Sequence, residues 1–80
     1  MFRMEIINMI VQVKEGFHDT LLRVFEAMSH ISVHGIMSNQ IVLALDTDDI
    51  HVLARTTREI QDMEGVLGIY PIFSKDALPL

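Results

Sequence analysis

Four histidines are the first residues of this chain that could do chemistry, and the chemistry they suggest is metal binding. His30 and His34 are four residues apart, but a predicted helix ends between them, so they cannot share one helical face. Along a strand the same spacing separates them by roughly 13 Å, too far for a common ion. His18 and His51 fall in the first turns of predicted helices, where surface exposure explains them. We therefore expect no metal site.

The residues that could support catalysis are equally sparse. The chain has no cysteine, which excludes a disulfide framework, a thiolate metal site and a thiol nucleophile. No serine lies in a Gly-x-Ser-x-Gly nucleophile elbow. Asp46, Asp48 and Asp49 resemble paired carboxylates, but one of them is expected to cap a helix and the others to form a solvated acidic rim. The glycines form no phosphate-binding loop. We expect neither an enzyme nor a cofactor.

Length, charge and hydropathy limit the class of protein. The 80 residues predict one domain, residues 1–80, and half of them are hydrophobic, enough for one core. A net charge of −5 argues against nucleic-acid binding and is compatible with a cationic partner. The first apolar run, residues 6–13, is too short to span a bilayer and lacks a signal-peptide cleavage site. We expect a soluble, cytoplasmic protein without membrane contact.

Periodicity predicts the elements that would position these residues. Alternating apolar positions indicate strands at residues 5–13, 31–37, 40–46 and 66–73. Helical periodicity indicates a helix at residues 17–29 and another from the turn at 47–49 to residue 63, leaving a short tail at 74–80. The predicted helix-facing residues are Phe17, Leu21, Val24, Phe25 and Met28 in the first helix and Ile50, Leu53, Ala54, Thr57 and Ile60 in the second.

Several turn and cap residues mark the boundaries of these elements. Thr47 or Asp48 is the predicted N-cap of the second helix, and Gly65 its stop. Gly35 marks a bulge in the second strand. Ser38 and Asn39 form a short hairpin turn, because asparagine is the non-glycine residue that best tolerates a positive φ.

The order β-α-β-β-α-β predicts a ferredoxin-like α+β fold. Right-handed crossovers then give a four-stranded antiparallel sheet with the first and third strands central and both helices on one face. Pro71 supports this independently: proline cannot donate to a strand ladder, which places the fourth strand at an edge.

One face of that sheet has no helix to cover it. The helices are expected over Ile7, Met9, Val11, Val13, Leu43, Leu45, Leu67 and Ile69. The uncovered face would carry Ile6, Asn8, Ile10, Gln12, Ser32, His34, Ile36, Val42, Ala44, Gly68, Tyr70 and Ile72, none of which is an acid, lysine or arginine. A large uncharged patch usually marks an interface. A peptide or helix docking there, a homodimer sealing two such faces, and the tail folding over the face all remain open.

Two segments resemble the NapD family: residues 9–14 (Met-Ile-Val-Gln-Val-Lys) and residues 63–69 (Met-Glu-Gly-Val-Leu-Gly-Ile). The resemblance covers nearly the whole chain in element order and length. It implies a small cytoplasmic maturation chaperone of the periplasmic nitrate reductase. Such a protein would bind the twin-arginine signal peptide of the catalytic subunit and delay its export until the molybdenum cofactor is inserted.

Patterning, rather than the family, supplies the candidate site residues. The peptide would lie over Ile6, Asn8, Ile10, Gln12, His34, Ile36, Val42, Ala44, Tyr70 and Ile72. Its arginines would pair with an acidic rim made of Glu5, Asp46, Asp48 and Asp49.

The alternative function is a stand-alone effector-binding domain like those of Lrp/AsnC-type regulators, which share this topology. That alternative predicts a tight dimer with a small-molecule pocket between subunits. An acylphosphatase-type enzyme would need an anion-binding arginine after the first strand, where Lys14, Glu15 and Gly16 stand instead.

Overall fold

The computed structural model describes residues 5–47 and 49–72, with the side chains of the first strand from Ile7 onward. The elements in that part are β1 (Glu5–Val13), α1 (His18–Ala27), β2 (Ile31–Met37), β3 (Gln40–Thr47), α2 (Ile50–Gln61) and β4 (Val66–Ile72). This is the predicted order. The predictions for Asp48, for Phe73, for the tail at 74–80 and for the side chains of Glu5 and Ile6 lie outside the described residues.

The strands form one antiparallel sheet in the order β2-β3-β1-β4. The predicted ferredoxin-like topology, with β1 and β3 central and β2 and β4 at the edges, is confirmed. Helix α1 packs against β2, and α2 packs against β3 and β4. Neither described helix has the length and apolar character that crossing a membrane requires.

The core lies between the helices and one face of the sheet. Its fully buried side chains are Met9, Val11, Val13, Ile41, Leu43 and Leu45 from the central strands and Phe25 and Ile60 from the helices, with Leu21 almost as deep. Full burial of one such side chain stabilises the fold by about 1.5–3 kcal/mol. The uniformly apolar odd positions 7–13 of β1 and 41–45 of β3 therefore predicted the inward face of both central strands correctly.

The apolar stripe of α1 follows the prediction except at Val24, and that of α2 departs from it at two positions. Val24 in α1 is 38% exposed, whereas the rest of that stripe is buried or half-buried. In α2 the buried residues are Thr56 and Ile60, while Ile50 is 63% exposed and Ala54 is also exposed. At 3.6 residues per turn Ala54 lies about 120° around the helix from Ile60, too far to face the sheet. Ile50 is the first helical residue. Both were wrongly predicted to be buried.

The N-cap of α2 is Asp49, not Thr47 or Asp48 as predicted. Asp49 has the extended backbone of a cap residue, and its carboxylate accepts the His51 N–H at 2.8 Å. Thr47 instead ends β3, and its hydroxyl oxygen accepts the Asp49 N–H at 3.1 Å. The chain therefore extends β3 by one residue before the helix begins.

The hairpin turn at Ser38 and Asn39 is present, but its predicted conformation is wrong. The pair Met37 and Gln40 closes the turn. Neither turn residue has a positive φ; among the described non-glycine residues only His30 does, at 68°. His18 approaches this hairpin from α1, with its Nε2 atom 3.2 Å from the Met37 carbonyl oxygen.

The connection between α2 and β4 requires a glycine at position 65. Its φ is +92°, and a Cβ there would lie 2.5 Å from Cγ and Cδ2 of Phe17. Its carbonyl oxygen accepts the Lys14 N–H at 2.7 Å, which ties the end of β1 to the start of β4. The absence of a side chain thus lets the chain pass directly beside the Phe17 ring.

Both edge strands contain a bulge. In β4 the pairs Gln12–Gly68 and Val13–Val66 leave Leu67 as the extra residue. Leu67 is 65% exposed, so its predicted place under the helices is wrong, and the bulge is the reason. In β2 the corresponding extra residue is His34, next to Gly35, where the sequence predicted a bulge.

Candidate functional site

The face of the sheet turned away from the helices, called the open face below, consists of cross-strand rows. Directly paired residues project to the same side of a sheet. In the order β4, β1, β3, β2 the rows are Ile72–Asn8–Ala44–Ser32, Tyr70–Ile10–Val42–Gly35 and Gly68–Gln12–Gln40–Met37. None of these residues is charged, and most belong to the face that the sequence predicted to be uncovered.

The β2 bulge changes which residues of that strand face this side. After the bulge Gly35 pairs with Val42, Ile36 with Ile41, and Met37 with Gln40. Because Ile41 is in the core, Ile36 lies on the helix side at the sheet edge, and its predicted place on the uncovered face is wrong. Met37 belongs to the open face instead and is 53% exposed.

His34 is the unpaired residue of the bulge and is exposed. Three residues lie on the open face that the sequence pattern did not predict there, namely Gly35, Met37 and Gln40. Gly35 could have indicated this change, because a bulge adds one residue to the strand and the residues after it then face the opposite side.

The exposed apolar side chains of the open face lie at its two edges, Met37 on β2 and Tyr70 and Ile72 on β4. Tyr70 is 52% and Ile72 42% exposed, and both share rows with the half-buried Ile10 or with Asn8. In the centre Val42 is half-buried, whereas the small Ala44 is 2% exposed between Asn8 and Ser32. The predicted outward orientation of Tyr70 and Ile72 therefore agrees with the structure.

Tyr70 folds back along its own strand over Gly68. A Cβ built on Gly68 would lie 2.6 Å from the Tyr70 hydroxyl oxygen, 3.0 Å from Cζ and 3.1 Å from Cε2. The first distance is shorter than real Cβ contacts, and the other two are well inside the separation of about 3.5–4.0 Å that is usual between carbon atoms. The ring thus occupies the space that a side chain at position 68 would need, and only glycine accommodates this arrangement.

The predicted acidic residues lie at one end of the sheet, called the acidic end below, and of those described Asp46 belongs to the open face. Asp46 pairs with Ile6, one row beyond Asn8, and is exposed. Its backbone N–H donates to the His30 carbonyl oxygen at 2.9 Å, which anchors the end of β3 beside β2. Asp49 follows at the same end, exposed but engaged as the cap of α2. The backbone register pairs Glu5 with the buried Thr47, so position 5 lies in a row of the helix-covered face, and its predicted place beside the open face is wrong.

Among residues 5–47 and 49–72, the helical side presents a different kind of surface. A shallow cleft between the end of α1 and the middle of α2 is lined by residues of mixed charge and polarity, namely Met28, Ser29, His30, Val52, Arg55, Thr56 and Glu59. Across residues 5–47 and 49–72, no group of three or more histidine, aspartate or glutamate side chains could hold a metal ion. The open face with its acidic end is therefore the best candidate site.

Comparison with known proteins gives a family and a fold. The family model described as NapD protein matches residues 4–76. The solution structure of the E. coli Tat proofreading chaperone protein NapD is similar, with a TM-score of 0.81, 19% sequence identity, and coverage of 94% of this chain and 82% of that chain. At that identity the likeness is one of fold. No curated protein sequence matches the chain.

Proposed function

Because the chain belongs to the NapD protein family, we propose that it is a maturation chaperone for an exported enzyme. Its ligand would be the twin-arginine signal peptide of a periplasmic nitrate reductase catalytic subunit. It would bind this peptide in the cytoplasm and delay export until the cofactor of that subunit is in place. Its role would be binding, not catalysis. The fold likeness to the E. coli Tat proofreading chaperone protein NapD supports this proposal.

The observation that carries the proposal is the open face itself. It combines exposed apolar side chains, Tyr70, Ile72 and Met37, with uncharged polar ones such as Asn8 and Gln12. A contiguous surface of this kind is typical of an interaction site. A signal peptide carries an apolar segment, and burial of that segment against the face would supply the main free energy of binding.

The acidic end provides the complement to the two arginines. Asp46 is exposed at the edge of the open face, and no hydrogen bond to its carboxylate occurs among the described residues. Arginine pairs with carboxylates through two parallel hydrogen bonds, which lysine cannot reproduce. The net charge of −5 would also speed the encounter with a cationic peptide.

Calorimetric titration with a twin-arginine signal peptide and with its Lys-Lys variant tests the proposal. We expect the arginine peptide to bind and the lysine peptide to bind several-fold more weakly, with the difference shrinking as salt is added. A third peptide, with the arginines kept and the apolar segment replaced by serines, should bind weakest. Absence of heat with the arginine peptide would overturn the proposal, and equal binding of the arginine and lysine peptides would remove the proposed arginine recognition.

The mass of the peptide-free protein in solution is the necessary companion measurement. A second copy of the chain is the main competitor for the open face. We expect a monomer, or a dimer that dissociates when the peptide is added. A tight dimer that the peptide leaves intact would show that the open face already has its partner, contrary to the proposal.

A further inference from the structure

We infer that Tyr70, lying on Gly68, is an aromatic platform that receives the apolar segment of the signal peptide and thereby fixes the direction in which the peptide lies. The arginines would be held at the Asp46 end of the open face and the apolar segment at the Tyr70 end. This inference rests on the proposed function and adds to it a specificity-determining residue and a binding polarity.

The platform is suited to this role because its ring is already in place. The ring lies over Gly68, where any larger residue would push it away, and 52% of Tyr70 remains exposed to a ligand. Tyrosine offers a large contact area for the loss of only two side-chain torsions. Ile10, its half-buried row neighbour, extends the apolar surface towards the centre of the sheet.

The polarity follows from the register of β1. Asp46 is level with Ile6, Tyr70 with Ile10, and Gly68 with Gln12. At about 3.4 Å per residue, the acidic end and the platform are therefore about 14–20 Å apart along the strand direction. No charged residue interrupts the rows between them. A ligand that contacts both Asp46 and Tyr70 must therefore carry its cationic groups at one end and its apolar segment at the other.

The chain supplies a matched pair of glycines for the test. Gly68 and Gly35 both lie on the open face, one in each edge strand, and neither has a positive φ. A Cβ at Gly35 would meet Val42 at an ordinary 3.8 Å, whereas one at Gly68 would meet the Tyr70 hydroxyl oxygen at 2.6 Å. Gly68→Ala should therefore displace the ring, and Gly35→Ala should leave the face intact.

Calorimetry with the arginine peptide measures the consequence. We expect Gly68→Ala to weaken binding by roughly two- to tenfold, the range that corresponds to loss of one aromatic contact. We expect Gly35→Ala to weaken binding less than Gly68→Ala does, because both add one methyl group to the open face and only the second displaces the ring. Tyr70→Phe keeps the ring and should also weaken binding less than Gly68→Ala. Far-UV circular dichroism should show all three variants folded. Equal affinities of Gly68→Ala and Gly35→Ala would overturn the platform.

Fluorescence tests the polarity, because Tyr70 is the single tyrosine of a chain without tryptophan. Two copies of the peptide carry a nitroxide quencher, one beside the arginines and the other at the far end of the apolar segment. The second should quench Tyr70 more strongly at saturation. Equal quenching, or stronger quenching by the first, would overturn the inference while leaving the proposed function standing. If the unlabelled peptide fails to bind the native protein, both fall together.

Discussion

Substitution of Gly65 by alanine tests how the fold joins α2 to β4. The backbone at this position has a φ of +92°, and an L-residue in the left-handed region costs about 1–2 kcal/mol. The new methyl group would also overlap the Phe17 ring, whose Cγ and Cδ2 atoms are 2.5 Å from its position. Displacing a packed side chain in this way costs about 1–3 kcal/mol.

The two contributions together lower the free energy of unfolding by about 2–5 kcal/mol. A domain of 80 residues is stable by about 4–12 kcal/mol in total. Gly65→Ala should thus leave a folded but strongly weakened protein, with a much lower urea midpoint and an unchanged dependence on urea concentration. Urea unfolding followed by far-UV circular dichroism measures both quantities.

Gly16 is the control for the backbone contribution alone. Its φ is +91°, almost the same as that of Gly65, but a Cβ there would meet nothing within 4 Å. Gly16→Ala should therefore cost only about 1–2 kcal/mol. In a Phe17→Ala background the costs of the two glycine substitutions should become equal, because the ring that distinguishes them is gone. Equal costs already in the native background would refute the reasoning that Phe17 restricts position 65.

Substitutions of two residues, Asp49 and Asp46, each with a control, test the acidic end of the sheet. Asp49→Ala should lower the free energy of unfolding by about 1 kcal/mol through loss of the bond to the His51 N–H, whereas Asp49→Asn should keep most of the cap; thermal unfolding compares them. Asp46→Asn should weaken binding of the arginine peptide by roughly two- to fivefold and reduce its salt dependence, while Glu26→Gln on the exposed side of α1 should change neither in the same titrations.

Much of the fold could be predicted because the inward positions of its central strands are nearly all apolar. Every odd residue of β1 from Ile7 to Val13 is apolar. A shift of the strand pairing by one residue would turn these side chains away from the core, so the observed register is strongly favoured. Pro71 placed β4 at an edge without reference to hydrophobicity. The element order with right-handed crossovers gave the topology, and Pro71 agreed with it independently. That topology in turn predicted a face that no helix covers.

The details that escaped prediction depend on insertions and on rotamers. Gly35 indicated a bulge, but the sequence does not say which residue of the strand is the extra one. The face occupied by the residues after the bulge was therefore ambiguous, and Ile36 was assigned to the wrong face. Leu67 was wrongly predicted to face the helices, because no residue type in β4 indicated the bulge at that position. Thr47, Asp48 and Asp49 are three consecutive residues able to cap a helix, so their types alone leave the start of α2 ambiguous. The seating of Tyr70 on Gly68 depends on a side-chain torsion that spacing does not determine.

The bulges and Pro71 have a consequence for how this sheet meets other chains. An exposed edge invites another strand to extend the hydrogen-bond ladder, and natural sheets discourage this with bulges and prolines. Here β2 carries the bulge at His34, and β4 carries both the bulge at Leu67 and a residue that has no N–H to donate. Both borders are thus poor templates for main-chain pairing, and the sheet meets its surroundings through side chains. A signal peptide of the kind proposed would then be recognised by its side chains, not by an extended backbone.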